Sequence, residues 1–392
     1  MRLAIVTTHP IQYHAPVFRE LAQRETIQLR VFYGWQGTVN SVDVGFGQHV
    51  EWDIPLLQGY DSEFLENVAS EPGSFSFRGI DTPSLINRVT DWQADAILIY
   101  GWCYKSHLAA MRHFHGKIPV CFRGDSTLLN EIGGIRRVLR RTLLRWVYSH
   151  VDMAFSVGTH NHIYFRRHGL DEHRIIHAPH AVDNTRFASP EARTEGMRLR
   201  HSLGLTETDI VVLFPGKLEP IKQPQELLKA VRRLSDHKVN LVFAGSGPLE
   251  ESLRSVNAPR TQFLGFQNQS QMPSVYHMAD VVCLPSKSET WGLVLNEAMA
   301  CSRPIIASDT VGAAADLIEP HRNGWVFRSS DPESLVQALV QAVAMKREGL
   351  REFGRHSARI IDNWSIPQQA TAIVNGLRHV IYRTEVTDRI AA

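Results

Sequence analysis

Short runs of consecutive apolar, often β-branched residues recur along this chain, each followed by a turn and then by apolar residues at helical spacing. Residues 3–7 (LAIVT), 27–33, 96–100 (AILIY), 119–122, 153–157 and 175–178 are such runs, and a helical pattern over 15–23 follows the first. A strand that is apolar at every position has no face to give to water. Alternation of such strands with helices therefore predicts parallel sheets covered on both sides.

A polar stretch over 183–203 (DNTRFASPEARTEGMRLRHSL) interrupts the pattern, which then restarts. Strands are predicted at 210–214, 239–244, 261–264, 281–284 and 304–307, with a helix over 224–234. A length of 392 residues also exceeds one ordinary core. The fold class expected is α/β, with two Rossmann-like doubly wound domains. The first covers 1–185 and the second 190–367, and a last helical pattern, centred on 368–382, lies across either one. A net charge of +2 is too balanced for wholesale nucleic-acid binding. Cys103, Cys121, Cys283 and Cys301 are scattered beside apolar runs and are expected to be reduced core thiols. The N-terminal MRLAIVTTHP lacks a signal-peptide pattern, and no apolar run approaches the roughly 20 residues of a membrane span, so a cytoplasmic protein is expected.

Residues 284–307 (LPSKSETWGLVLNEAMACSRPIIA) carry the most chemistry. A strand ends at Leu284, a loop carries Ser286 to Gly292, and a helix is predicted from about Leu293. Its first amides have no partner within the helix and suit a diphosphate. Glu289 precedes that helix and Glu297 lies inside it. If all the residues between them were helical, they would be separated by a rise of about 12 Å. Two glutamates alone would equally suit an exposed loop and a surface helix.

The surrounding pattern, P-S-x-x-E-x-x-G followed by E-A-M-A and P-I-I-A, resembles the E-x7-E signature of family 4 glycosyltransferases of the GT-B fold. Phe214-Pro-Gly-Lys-Leu with Lys222 is similar to that family's strand-end G-[RK]-L…K element. Leu241 to Leu249 (LVFAGSGPL) and Phe263-Leu-Gly-Phe resemble its next strand-turn and the strand end beside its base pocket. Ala178-Pro-His-Ala-Val-Asp resembles its interdomain segment. The resemblance implies two Rossmann-like domains facing each other across a cleft, the C-terminal one binding a nucleotide-sugar and the N-terminal one the acceptor. It further implies transfer with retention of configuration, no cofactor and no bound metal, with UDP the expected nucleotide. Carried over, Lys217 and Lys222 hold the diphosphate. The amides of Gly292, Leu293 and Val294 hold the distal phosphate and sugar. Glu289 contacts the donor sugar, and Glu297 the ribose hydroxyls.

The first half departs from the family. Thr8-His-Pro-Ile-Gln-Tyr-His-Ala-Pro stands where a glycine pair is common, making His14 the candidate there. Phe122-Arg-Gly-Asp replaces a strand followed by histidine, making Arg123 and Asp125 the nearest acceptor-side candidates. His14, Asp125, Glu289 and Lys222 are the catalytic candidates. Ser302 occupies a position where glycine is frequent in the family.

The acceptor is left open among a glycan, a lipid-linked molecule and a small molecule. Residues 135–147 (IRRVLRRTLLRWV) put apolar residues on one helical face and Arg136, Arg137, Arg140, Arg141 and Arg145 elsewhere. Such a helix either packs its apolar face on a sheet or contacts anionic lipid, at the inner face of the membrane. An NAD-dependent oxidoreductase is the rival for a doubly wound fold, through Gly245-Ser-Gly, but Glu250 replaces the third glycine of that motif. A GT-B nucleotide-sugar epimerase and an inactive nucleotide-sugar binder are the remaining alternatives.

Overall fold

The computed structural model describes residues 1–37, 42–43, 48–129, 131, 133–234, 238–329 and 331–391. In it most of the apolar runs become largely buried strands, beginning with β1 (Arg2–Thr7) and β2 (Gln28–Tyr33). A two-stranded ribbon, β3 (Val42–Asp43) and β4 (Gln48–His49), follows. Then come β5 (Asp61–Phe64), β6 (Ala96–Tyr100), β7 (Val120–Arg123), β8 (Met153–Ser156) and β9 (Ile175–His177). The second series is β10 (Ile210–Pro215), β11 (Val239–Ala244), β12 (Thr261–Gly265), β13 (Val281–Leu284), β14 (Ile305–Ser308) and β15 (Gly324–Phe327).

The first sheet runs β5-β2-β1-β6-β7-β8-β9 and the second β12-β11-β10-β13-β14-β15, and neighbours in both pair in parallel. The sequence patterning missed β5, whose polar DSEF sits at the sheet edge, and β15. Each sheet has its own core. Ile97, Ile99, Phe122 and Phe165 lie in the first and Phe214, Phe243, Leu339 and Trp325 in the second.

The chain divides into two α/β units, one of Met1–Val39, Pro55–His180 and Ile366–Ala392, the other of Asn40–Ile54 and Ala181–Ser365. The segment from 48 to 54, expected in the first unit, groups instead with the second. The terminal helix Ile366–Ala391 belongs to the first unit. It packs so closely on β8 that a Cβ at Gly376 would stand 2.5 Å from Cε1 of Phe155.

The polar stretch 183–203 is helical, comprising Asn184–Phe187 and Pro190–Ser202. Asp183 and Ser189 cap these helices by accepting from the amides of Arg186 and Ala192. The second helix reads as polar because its inward contact is a charge. Buried Arg200 donates to Asp280 Oδ2 at 2.9 Å and to the carbonyls of Met278 and Asp209. Asp280 also accepts from the Val211 amide and from Arg347 Nε, tying the helix to the start of β10.

One other expectation changes. Cys103 is exposed, on the loop after β6, whereas Cys121, Cys283 and Cys301 are buried thiols whose pKa burial raises. Ser302 has φ +56, the left-handed region that glycine adopts without strain. That explains the family's preference at this position.

Asp280 keeps Arg347 and the Val211 amide when Arg200 is removed, but the carbonyls of Met278 and Asp209 lose a donor. Arg200→Met is expected to destabilise the second unit by about 1–3 kcal/mol, read as a lowered urea midpoint. Exposed Arg232→Met should leave the midpoint essentially unchanged.

Candidate active site

In the second unit the polar candidates gather where β10, β11 and β13 end. Two backbone loops are zipped together there. The amide of Gly216 donates to Ala244 O at 2.9 Å, that of Leu218 to Ser246 O at 2.9 Å, and that of Leu249 to Leu218 O at 3.0 Å. A Cβ on Gly245 would stand 1.9 Å from the Gly216 carbonyl oxygen. The glycines of Gly245-Ser-Gly thus have a structural reason, close backbone approach between two strand-end loops, that requires no dinucleotide. Partly buried Lys217 projects from this zipped loop.

A 3-10 turn, Pro220–Lys222, follows, and Lys222 forms an ion pair with Glu289 of the loop after β13. The two side chains are 23% and 20% exposed, half-sheltered but open to a ligand. The backbone holds the loops in place. The Lys287 amide donates to Ile221 O at 2.8 Å, the Glu289 amide to Thr310 O at 3.2 Å, and the Gly312 amide to Glu289 O at 3.1 Å. The hydroxyls of Ser308 and Thr310 both donate to the Ser286 carbonyl. The Ser286 hydroxyl itself is buried without a hydrogen-bond partner among the described residues.

Gly292, at φ +99, turns the loop into helix Leu293–Ala300, whose start has no side-chain cap. Its first amides lie at the positive end of the helix dipole. Leu293 and Val294 are half-buried beside them. Glu289 is not helical, so the 12 Å helical rise expected between the two glutamates does not apply. Only the stretch from Leu293 onward contributes helical rise.

Glu297 is 2% exposed, and the Tyr276 hydroxyl donates to its Oε2 at 2.6 Å. Tyr276, on helix Met272–Met278, escaped the sequence reading. Its signal is a lone phenol on the helix immediately before β13. Also unforeseen is the segment from 48 to 54, which belongs to this unit. Asn268 Nδ2 donates to Glu51 O at 2.7 Å, the Ser270 amide donates to Asp53 Oδ1 at 3.0 Å, and Trp52 lies 6.4 Å from Phe266 at the end of β12.

In the first unit the candidates sit after β1 and β7. His14 opens helix Ala15–Ala22, its ring 4.7 Å from that of Tyr100 at the end of β6. Its Nδ1 is buried without a hydrogen-bond partner among the described residues. Burial, with Arg123 and His9 adding repulsion, lowers its pKa to about 3. Burial lowers His9 and His107 to about 4, and holds His180 well below the ordinary value.

Arg123 is 2% exposed and donates to the carbonyls of Ala178 at 2.9 Å and Pro179 at 3.4 Å. Gln369, in the amide orientation that satisfies both ends, donates to Pro179 O and accepts from Arg123. Arg123 therefore acts on the 178–180 segment, a positioning role that its sequence assignment as an acceptor contact did not foresee. Asp125 is half-buried nearby and interacts favourably with the Arg123 charge.

The family model described as glycosyl transferases group 1 matches residues 197–358. That stretch lies within the second unit. A D-inositol 3-phosphate glycosyltransferase of Catenulispora acidiphila is 31% identical over 229 residues, covering 53% of this chain and 52% of that protein. A glycosyltransferase of Methanocaldococcus jannaschii is 28% identical over 204 residues, covering 50% of this chain and 46% of that one. The chain thus spans about half the length of these relatives. Among solved structures, Anabaena HepE in complex with UDP superposes with a TM-score of 0.73 at 18% identity, covering 97% of this chain and all of that one. Sucrose-phosphate synthase of Thermosynechococcus elongatus gives 0.74 at 16%, covering 98% and 100%. These likenesses establish the GT-B fold class.

In the second unit, the geometry brings Lys222 and Glu289 together. Gly292 ends that loop, Leu293 and Val294 begin the helix after it, and Glu297 lies on the same helix, bonded to Tyr276 of helix Met272–Met278. His14, Arg123 and Asp125 belong to the other unit.

The buried histidines make stability depend on pH. From about pH 6.5 down to about 3, the unfolded chain binds a proton at His14 that the folded chain refuses, so stability falls on acidification. At pH 5 one such group contributes a loss of about 2 kcal/mol. Urea unfolding between pH 7 and 5 should show this fall, and His14→Phe should reduce its slope by about one proton. An unchanged slope in that variant would contradict the buried neutral imidazole.

Proposed function

We propose that the chain is a retaining, metal-independent glycosyltransferase that moves a sugar from a nucleotide-sugar, UDP-sugar favoured, to a glycan, lipid-linked or small-molecule acceptor. The observation that carries this reading is the Lys222–Glu289 pair beside an uncapped helix start in a glycosyltransferase group 1 domain. The solved relatives that bind UDP or UDP-glucose support the choice of nucleotide.

A diphosphate carries more charge than Glu289 and competes for Lys222. On donor binding, Lys222 and Lys217 turn to the phosphates, and Glu289 is released to accept hydrogen bonds from sugar hydroxyls. The amides of Gly292, Leu293 and Val294 receive the distal phosphate. Glu297, oriented by Tyr276, takes the ribose. When the glycosidic bond breaks, charge accumulates on the leaving diphosphate, and fixed cations and amides stabilise it there. Acceptor contacts are assigned to His14 and Asp125 of the first unit, with Arg123 positioning the 178–180 segment. His14 is neutral at pH 7, as its lowered pKa requires, so it offers a hydrogen bond and not a charge. The location assigned is cytoplasmic, with peripheral contact at the inner face of the membrane.

Glu297→Ala should weaken UDP binding by about tenfold or more, since a charge-assisted hydrogen bond is worth roughly 1.5–3 kcal/mol. Glu289→Ala should bind UDP at least as tightly as wild type, because Lys222 loses its competing carboxylate, yet transfer poorly. Calorimetric titration with UDP and an assay of UDP release from UDP-sugars check both, and activity should persist in EDTA. Equal loss of UDP affinity in the two variants would overturn the assignment.

A further inference from the structure

Helix Ile135–Tyr148 is turned the opposite way from an ordinary surface helix. Its buried residues are Leu144, Val147 and Tyr148. Ile135, Val138, Leu139, Leu143 and Trp146 are 77%, 60%, 65%, 46% and 42% exposed. At 100° per residue, these five with Thr142 fall within an arc of about 140° whose centre is opposite the buried stripe. Val147 leaves the apolar face predicted from the sequence and packs inward, while the rest of that face is presented to solvent.

The charges complete the pattern. No acidic residue lies in 135–148, and Arg136 and Arg145 flank the apolar arc. Arg141 pairs with Glu131 at 2.8 Å, and Arg140 reaches the Tyr164 hydroxyl at 3.4 Å, so these two also anchor the helix to its own unit. Arg112 of the adjacent helix Lys105–Phe114 sits 5.6 Å over the Trp146 ring. An outward apolar arc ending in a tryptophan and edged by arginines matches an anionic bilayer in both polarity and charge. No helix of the described residues is long and apolar enough to cross a membrane.

We propose that this helix is an interfacial anchor, lying flat with Ile135, Val138, Leu139, Leu143 and Trp146 inserted among anionic lipids and the flanking arginines at their phosphates. This rests on the peripheral membrane contact proposed above and deepens it from charge attraction to insertion. The chemistry recognised is a sheet of lipid phosphates over hydrocarbon, not a single phosphate. An acceptor carried on a lipid is the one that such an anchor serves.

The test is sedimentation of the full chain with phosphatidylglycerol vesicles, without nucleotide. Three proteins are compared: wild type, the Leu139→Glu/Leu143→Glu variant, and the Arg136→Gln/Arg137→Gln/Arg145→Gln variant. These side chains are exposed, so the folds should survive, and an unchanged melting temperature checks that they do. Wild type should pellet with vesicles and retain part of that binding at high salt, where attraction beyond a Debye length of roughly 8–10 Å is screened. The glutamate variant should bind at least about tenfold more weakly at every salt concentration, and the glutamine variant more weakly at low salt. Brominated phosphatidylglycerol should quench fluorescence in wild type and much less in Trp146→Phe.

Wild type remaining in the supernatant at low salt would overturn both the anchor and the peripheral contact. Binding lost in the glutamine variant but kept in the glutamate variant would overturn insertion alone. A concentration-dependent dimer abolished by Leu139→Glu/Leu143→Glu, with no vesicle binding, would assign the face to a second copy of the chain. None of these outcomes touches the donor site, since UDP titration reports on that separately.

Discussion

A parallel strand covered on both faces can present chemistry only at its ends, and the central strands of both sheets are of this kind. Val281–Leu284 and Ile210–Pro215 are buried at every position, so whatever they position must lie beyond Leu284 and Pro215. The loop carrying Lys217 and Lys222 and the loop carrying Glu289 follow from that constraint, as do His14 after β1 and Arg123 at the end of β7. Helices begin where these strands stop, so uncompensated amides and polar side chains collect at the same edge.

Within that edge the Lys222–Glu289 pair is the chemically informative contact. Its side chains are neither deeply buried nor freely solvated, so the attraction is substantial and still open to exchange. The loops bearing it are fixed through backbone hydrogen bonds and through glycines that allow two chains to pass at contact distance. A loop held in this way keeps its shape when its side chains change partners. Glu297 presents the contrasting case, a carboxylate kept buried by a phenol that consumes part of its hydrogen-bonding capacity.

Much of this was legible in the sequence because strand burial and strand-end motifs are local. Residues 96–100, 239–244 and 281–284 were predicted with the boundaries observed, and the Ser286 to Gly292 loop was placed between the correct strand and helix. What escaped depends on partners distant in sequence. Helix Pro190–Ser202 reads as linker because its inward contact is Arg200 with Asp280, 80 positions away. Residues 48–54 join the second unit through contacts such as Glu51 with Asn268. Arg123 reads as a site residue because a strand-end cation usually faces solvent, yet here it satisfies two backbone carbonyls. The apolar pattern of 135–147 was visible, but pattern alone does not reveal which side of a helix faces the sheet.

The central claim is that the strand-end cations of the second unit hold a nucleoside diphosphate. Calorimetric titration of wild type and of Lys217→Ala/Lys222→Ala with UDP and with uridine tests it most directly. The account predicts that UDP binds wild type much more tightly than uridine does, by at least about a hundredfold for two charge-assisted contacts of roughly 1.5–3 kcal/mol each. It also predicts that most of this difference disappears in the double variant while uridine affinity is preserved. A double variant that keeps the full preference for UDP over uridine would contradict it.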